Sequence, residues 1–306
     1  MGKNKNTVIE GIQIVRSILG RISKEDVYGN GFSQDKDTIE QIFEKTSSDK
    51  QTDVLARLTV IDSLYSTQMT RRYYGIDELA ESLCMLCRQK KRTTKELFKD
   101  FAENQDTSLF DFVKIEGSKE VATNLFDEKY GIGKDGSDKG IAISLISKYA
   151  YFETGKQFPI YDSIACEIYP LLWSYCGFSK KEQPKLIIRK KGKQEIDASK
   201  TMKEFVKAIN DFRNKLGDNV SYDHFDRLLW FTGKIRRGNL SLVLTREQYL
   251  ECIDYSRKNH LFKETNEFCV QKVKDVSNLP FVQQGSLMQD FFELAKQLYC
   301  NSSVKS

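Results

Sequence analysis

The sequence predicts an all-α protein, built as a multi-helix fold with one small basic insertion. Apolar residues recur at the 3.6-residue period of a helix through most of the 306-residue chain. Alternating patterns typical of β-strands are few, and only four prolines interrupt the chain. A hydrophobic content of 40% with 30% charged residues is typical of a globular protein.

The N-terminal half divides into helices separated by polar or glycine-containing stretches. A first amphipathic helix over 7–19 ends at Gly20, and a flexible connection covers 21–35. Further helices are expected at 36–46, 54–64, 76–86, 94–103 and 118–128.

The C-terminal half begins with a helix that follows Ser163 and reaches Leu172. Residues 177–198 break the pattern and predict an exposed basic insertion, a small hairpin in shape. Further helices are expected at 199–215, 222–230, 245–258, 264–276 and 285–300, with a capping box of Thr245 and Gln248. We therefore divide the chain into an N-terminal helical segment (1–50), a two-lobed helical core (51–240) and C-terminal helices that pack on it (241–306).

Residues 140–152 form the helix around which the chain is organised. Nearly every position from 141 to 152 is apolar, which indicates burial on all sides. The exceptions, Ser144, Ser147 and Lys148, share one face because they are spaced i, i+3 and i+4. Burial disfavours a charged amine, so the pKa of Lys148 is expected to fall, which makes Lys148 a candidate nucleophile or a positioned cation. The alternative is a lysine that lies along the core and holds its ammonium in water.

The segment 158–163, Phe-Pro-Ile-Tyr-Asp-Ser, opens the next helix. Asp162 and Ser163 stand where an N-cap belongs, because their side-chain oxygens can accept hydrogen bonds from the free amides of the first turn. The position of Asp162, directly after the helix that carries Lys148, also suits an acid/base or charge-stabilising pair. Capping and chemistry do not exclude each other.

Four stretches are candidates for nucleic-acid contact, one of them the basic run of Lys90, Lys91 and Arg92. Arg71 and Arg72 are followed by two tyrosines, which suits phosphate contact and base stacking. The glycine-rich segment 130–140 can present backbone amides to a phosphate. Residues 180–193 hold seven Lys or Arg. The plain alternatives are a solvated surface for the basic stretches and a flexible linker for the glycines.

Composition narrows the class of protein further. The net charge of +5 permits a nucleic-acid partner without requiring one. No stretch reaches the apolar length of a membrane span, and the N-terminus lacks a signal-peptide core, so we expect a cytoplasmic protein without a membrane partner. The seven cysteines are odd in number and scattered, which indicates reduced thiols. Cys84 and Cys87 are expected in the core, and we expect no metal or cofactor.

The residues Ser147-Lys148-Tyr149, followed by the 158–163 segment, resemble the helix-hairpin-helix DNA glycosylase superfamily, in particular bacterial proteins with an 8-oxoguanine-glycosylase-like fold. Leu64-Tyr65-Ser66-Thr67 upstream and the 229–234 segment Leu-Trp-Phe-Thr-Gly-Lys downstream extend the resemblance. It covers about Val54 to Lys234. The resemblance implies a helix-hairpin-helix that grips DNA, with Gly131-Ile132-Gly133-Lys134 at the hairpin. It also implies an aspartate, here Asp162, that supports departure of the base.

The resemblance also implies where the other functional residues lie. A base pocket would be lined by Ser144, Ser147, Tyr161 and Trp230. With the basic stretches, the nucleic-acid contacts would come from Gly131, Gly133, Lys134, Arg71, Arg72, Ser163, Arg189, Lys190, Lys191 and Lys234. Bifunctional members carry a lysine nucleophile in the stretch that corresponds to 141–144, and no lysine stands there. Lys139 lies before this stretch and Lys148 after it, so both are candidates and a lyase step is the weaker part of the prediction.

Two hypotheses of different classes follow. The first is a monomeric DNA N-glycosylase that extrudes a damaged or modified base and acts on single- or double-stranded DNA. The second is a non-catalytic nucleic-acid-binding or interaction protein in which Lys148 and Asp162 form a structural pair.

Overall fold

The computed structural model describes residues 5–22, 32–65, 67, 69, 72–133, 136, 140–183, 197–217, 220–265 and 267–303, with the side chains of 5–9, 32–34 and 300–303 left aside. Over these residues the chain is mostly helical, with eleven α-helices and two small strand pairs. The prediction of a mainly helical protein is therefore confirmed. Within the same ranges, none of the helices combines the length and apolar character needed to cross a bilayer.

The helices and strands follow one another in this order: α1 (Lys5–Ile22), α2 (Phe32–Lys45), α3 (Gln51–Tyr65), α4 (Gly75–Lys90), α5 (Thr94–Asn104), β1 (Asp111–Glu116), β2 (Lys119–Asn124), β3 (Lys129–Tyr130), β4 (Gly140–Ile141), α6 (Ile143–Glu153), α7 (Ser163–Tyr175), α8 (Ala198–Leu216), α9 (Tyr222–Arg237), α10 (Arg246–Lys258) and α11 (Leu287–Ser303). Short 3₁₀ turns cover 107–110, 240–242, 270–272 and 276–278.

The chain folds as two compact units. The central unit contains 35–162 and 184–211, and the terminal unit contains 1–34, 163–183 and 212–306. The division into segments at residues 50 and 240 stays a prediction.

The central unit is built around α6, the helix predicted to be the most enclosed. All eight residues from Leu145 to Phe152 are buried, and α6 packs against α3 and α5. Below it lies a cluster of phenylalanine rings with centroids 4.9–6.0 Å apart, formed by Phe98, Phe101, Phe110, Phe126 and Phe158. Tilted and edge-on rings at these distances add to the stabilisation from burial alone.

A buried ion pair fixes the C-terminal end of α6. Arg57 on α3 donates to Glu153 Oε2 at 2.7 Å, and both side chains are about 5% exposed. Arg57 also donates to the Thr46 hydroxyl at 2.8 Å and to carbonyls at the end of α2, while Thr94 donates to Glu153 Oε1 at 2.8 Å. The pair therefore joins α2, α3, α5 and α6 with its polar atoms satisfied.

The terminal unit packs α7, α9 and α11 together with α1. Close approach of helices is achieved at two glycines. A Cβ on Gly233 of α9 would lie 2.3 Å from Ile164 Cγ2 on α7, and a Cβ on Gly11 of α1 would lie 2.6 Å from the carbonyl oxygen of Tyr175. Neither position has room for a side chain.

Two predicted helices are wrong. Residues 118–128 contain β2, which pairs with β1 in antiparallel register through a turn at Gly117 (φ +64°). The β-branched residues of 111–124 favour this ribbon over a helix. In 264–276, Phe268 instead forms a bridge with Phe262, and a short 3₁₀ turn covers 270–272. The Leu261 carbonyl also accepts from the Cys269 amide at 2.8 Å, so the chain turns back on itself where a helix was expected.

Two other predicted helices are present but end later than expected. The helix α1 continues through Gly20 to Ile22, and α9 extends beyond residue 230 to Arg237. The capping box of α10 is confirmed, because the Thr245 hydroxyl accepts from the Gln248 amide at 3.2 Å and the Gln248 side chain accepts in return at 3.0 Å. Of the predicted basic insertion, 184–196 lies outside the described residues, and 179–182 at its start is exposed.

We expect Gly131→Ala to be far more destabilising than Gly117→Ala. Both glycines have positive φ, 75° and 64°, but a Cβ on Gly131 would lie 2.8 Å from Gly75 Cα whereas Gly117 faces open space. Strain alone costs about 1–2 kcal/mol, and overpacking raises the cost at Gly131 to roughly 2–5 kcal/mol. Urea unfolding of both variants measures the difference, and equal midpoints would contradict the packing role of Gly131.

Candidate active site

Lys148 is buried in the central unit and held from two sides. Only 3% of the residue is exposed. Its Nζ donates to Ser144 Oγ at 2.9 Å and lies 5.5 Å from the centroid of the Tyr65 ring. The alternative in which the ammonium reaches bulk water therefore does not hold. The contact also brings together two of the segments that carry the resemblance, 64–67 and 147–149.

Ser147, the third residue of the polar face of α6, is hydrogen-bonded to the backbone. Ser147 is fully buried, and its Oγ accepts a hydrogen bond from the Tyr161 amide at 2.9 Å. The carbonyl oxygens of Ser144 and Tyr161 lie 3.0 and 3.3 Å from the same hydroxyl. Ser147 therefore has no exposed surface with which to line a base pocket.

The segment between α6 and α7 leads to Asp162 along a buried path. A turn with left-handed backbone at Gly155 and Lys156 ends α6. In this turn the backbone amide of Lys156 donates to the Tyr151 carbonyl at 2.7 Å. Residues 158–160 are then buried, with the Phe158 ring 5.4 Å from that of Phe98. Asp162 follows at the position before α7 and is partly buried. A carboxylate held there can stabilise a cation or orient a water molecule.

Tyr161 and Trp230, the two predicted aromatic pocket residues, belong to different units. Tyr161 makes an edge-on contact with Phe205 in the central unit at 5.1 Å. Trp230, on α9 of the terminal unit, packs on Phe231 at 5.1 Å, and Lys234 Nζ lies 5.4 Å from its ring. Their joint role in a pocket stays a prediction.

Ser163 is engaged inside the terminal unit. Arg237, at the end of α9, donates to the Ser163 carbonyl at 3.1 Å and to its hydroxyl at 3.3 Å. The same guanidinium is paired with Glu167 at 2.8 Å, and Arg236 also pairs with Glu167. The sequence pattern did not single out Glu167. The only local signal was the pair of arginines in the last turn of α9, and the contact to α7 is non-local.

The predicted phosphate-binding glycines Gly131 and Gly133 lie between β3 and β4, so the described elements on either side of them are short strands rather than helices. The Gly131 amide donates to Glu78 Oε2 at 3.0 Å, and residue 132 forms a bridge with Tyr73. Gly133 is also on this turn, where its carbonyl accepts from the Gly136 amide. These glycines are explained by close packing and turn geometry.

Arg72 also has an internal role. Its Nη1 donates to the Tyr130 carbonyl at 3.4 Å, and its guanidinium occupies the space where a Cβ on Gly140 would lie. Next to it, Tyr73 and Tyr74 are 56% and 67% exposed, so aromatic surface is available for stacking. Six predicted site residues lie outside the described residues: Lys139, Lys134, Arg71, Arg189, Lys190 and Lys191.

Two residues near α6 were missed as site components. Tyr65 supplies the ring beside Lys148, as described above. Asp62 is 2% exposed, and its Oδ1 accepts from the Met69 amide at 2.9 Å and from the Thr67 hydroxyl. The sequence signal was weak, because a lone aspartate near the end of a helix is usually at the surface.

Of the predicted core pair Cys84 and Cys87 on α4, Cys84 is buried as expected, whereas Cys87 is only half-buried. Both thiols are free, and burial raises the pKa of Cys84 and raises that of Cys87 to about 12 from the ordinary value of 9.0. The folded state therefore favours the protonated thiol, and this preference is present below pH 9 and is lost as the pH rises towards 12.

We expect native Cys87 to react much more slowly with iodoacetamide at pH 9 than the urea-unfolded chain. In the unfolded chain about half of the thiol would be thiolate at that pH, whereas in the folded chain the fraction is far smaller because of the raised pKa. Peptide mapping by mass spectrometry measures both rates. Equal rates in the folded and unfolded chains would contradict the raised pKa of the Cys87 thiol.

No protein-family model, no curated protein and no solved structure gives a significant match to this chain.

Proposed function

We propose that the protein is a DNA N-glycosylase that removes a modified or damaged base with Asp162 as its catalytic carboxylate. The observation that carries the proposal is the placement of Asp162. It stands at the end of a buried segment that is hydrogen-bonded to α6, it precedes α7 directly, and it keeps part of its surface exposed. The resemblance of the 147–149 and 158–163 segments to glycosylases supports the same assignment.

Cleavage of the glycosidic bond mainly requires a carboxylate that is held in position. As the bond between the sugar C1′ and the base nitrogen breaks, positive charge develops on the sugar, and a fixed negative group nearby lowers the energy of that transition state. The base is extruded from the stack before this step, which is why such enzymes need a pocket and a surface that holds distorted DNA.

Water is the proposed nucleophile, rather than a lysine. The stretch 141–144 holds no lysine, and Lys148 lies one turn further along α6, buried and hydrogen-bonded to Ser144. An amine must reach C1′ in order to attack, and a 3% exposed side chain within the core is poorly placed to do so. Lys148 then has a structural role in the central unit.

DNA contact is proposed to use the exposed aromatic side chains of Tyr73 and Tyr74, together with the basic stretches predicted from the sequence. Stacking on a base requires an accessible ring face, and these two rings are more than half exposed. Their backbone is anchored by the bridge to residue 132 and by the start of α4.

A second candidate function is a non-catalytic nucleic-acid-binding or interaction protein. The observation that favours it is the internal engagement of three predicted site residues: Lys148 with Ser144, Ser147 with the Tyr161 backbone, and Ser163 with Arg237. In that case the polar groups of α6 serve the fold alone, and the protein binds DNA without removing a base.

We expect Asp162→Asn to abolish most base release while DNA affinity is kept or increased. The change removes the charge that stabilises the transition state and also removes a negative charge near phosphates. Oligonucleotides that carry a panel of damaged bases, cleaved with alkali after incubation, report base release. Asp106→Asn, an exposed carboxylate before a 3₁₀ turn, is the control and should act like wild type. Full activity in Asp162→Asn would end the assignment.

We expect no covalent adduct when borohydride is added to a reaction that releases base. Only an amine nucleophile forms a reducible Schiff base with the sugar, whereas attack by water leaves an intact abasic site. Denaturing gels with labelled DNA detect the adduct. An adduct that disappears in Lys148→Gln would make Lys148 the nucleophile, and one that disappears only on changing Lys139 would assign that role to Lys139.

A further inference from the structure

The Tyr161 backbone is held by a side chain fourteen residues earlier in the chain. Ser147 Oγ accepts from the Tyr161 amide at 2.9 Å and lies 3.3 Å from the Tyr161 carbonyl oxygen. One hydroxyl thus faces both polar groups of a single peptide residue, in a segment that belongs to no helix or strand. The hydroxyl is oriented by the Ser144 carbonyl at 3.0 Å, within the fully packed α6.

We infer that Ser147 is a positioning residue for Asp162. This inference rests on the proposed function, because it concerns the carboxylate assigned to the chemistry. Asp162 follows Tyr161 directly, so a fixed Tyr161 peptide fixes the point from which the Asp162 side chain extends. Ser147 does not touch a substrate, since it has no exposed surface, and it acts only through the backbone.

The contacts at position 147 require a side chain with a hydroxyl group. An alanine at 147 would leave the Tyr161 amide without this acceptor and would free the segment to shift. A displacement of about 1 Å at a catalytic group is enough to slow a reaction on the order of 100-fold, even when substrate binding is unchanged. The same change in a residue that only stabilised the fold would lower the amount of active protein without altering the rate of the folded fraction.

The test compares Ser147→Ala with Ser82→Ala, an equally buried serine on α4 of the same unit. Single-turnover base release, DNA affinity and the urea midpoint are measured for each. For Ser147→Ala we expect base release to slow by roughly 10–100-fold, with DNA affinity within about twofold of wild type. Ser82→Ala should keep the wild-type rate.

Two further variants guard against a folding defect. Ser147→Cys has nearly the same shape but a weak acceptor, so it should show the slow rate even where the alanine variant does not fold. Ser147→Thr keeps the hydroxyl and should recover most of the rate. Slow base release in the threonine variant together with a wild-type rate in the cysteine variant would overturn the inference.

A double-mutant cycle supplies the decisive result. If Ser147 acts through Asp162, Ser147→Ala should cause no further loss of rate in an Asp162→Asn background. An equal loss in both backgrounds, or a rate loss that matches the unfolded fraction, overturns the positioning role. A wild-type rate in Ser147→Ala overturns this inference alone and leaves the glycosylase standing. Wild-type protein that releases no base ends the proposed function and this inference with it.

Discussion

The buried pair of Arg57 and Glu153 is the interaction on which the central unit depends. Removing two charges from water is costly, and the pair is kept because every strong hydrogen-bonding direction is used: Glu153 also accepts from Thr94, and Arg57 also serves the end of α2. Because Glu153 is the last residue of α6, the pair fixes where that helix ends. The ion pair thereby also sets where the following turn begins. The segment that leads to Asp162 continues from that turn.

The polar groups of α6 are divided between two tasks. The Ser144 hydroxyl accepts a hydrogen bond from Lys148, which holds the buried lysine beside the Tyr65 ring. Ser147 instead accepts a hydrogen bond from the Tyr161 amide, in the segment that follows the helix. In an otherwise apolar helix a polar group without a partner would cost about 1–3 kcal/mol, so each of the three has a physical reason to be where it is. Their spacing in the sequence showed that they share a face, but not which partner each one meets.

Local patterns predicted what depends on local interactions. The capping box of Thr245 followed from residue spacing and is present. The helix predicted over 140–152 was expected to be buried from 141, but 140–141 form β4, α6 begins at Ile143, and uninterrupted burial covers only 145–152. The helix expected at 118–128 failed because β2 is stabilised by pairing with β1, and the pairing competes with a helical propensity that is weak there. The clamp of Arg237 on Ser163 joins residues 74 positions apart, so no sequence window contains both. The roles of the glycines near residue 131 were open for the same reason, since they depend on the approach of Gly75.

Under the proposed function, the residues that would contact DNA and the carboxylate that would assist cleavage of the glycosidic bond lie in different segments of the chain. In a helix-hairpin-helix the glycine amides are directed at phosphates, whereas here the Gly131 amide is directed at Glu78, and the turn is closed against the start of α4. The same packing leaves Tyr73 and Tyr74 at the surface, where ring faces rather than amides are presented. The resemblance to glycosylases is concentrated at the other end of α6, in the segment that carries Asp162. In the proposed glycosylase, the exposed rings of Tyr73 and Tyr74 would contact DNA by stacking, together with the basic stretches, while the Gly131 amide is engaged within the protein.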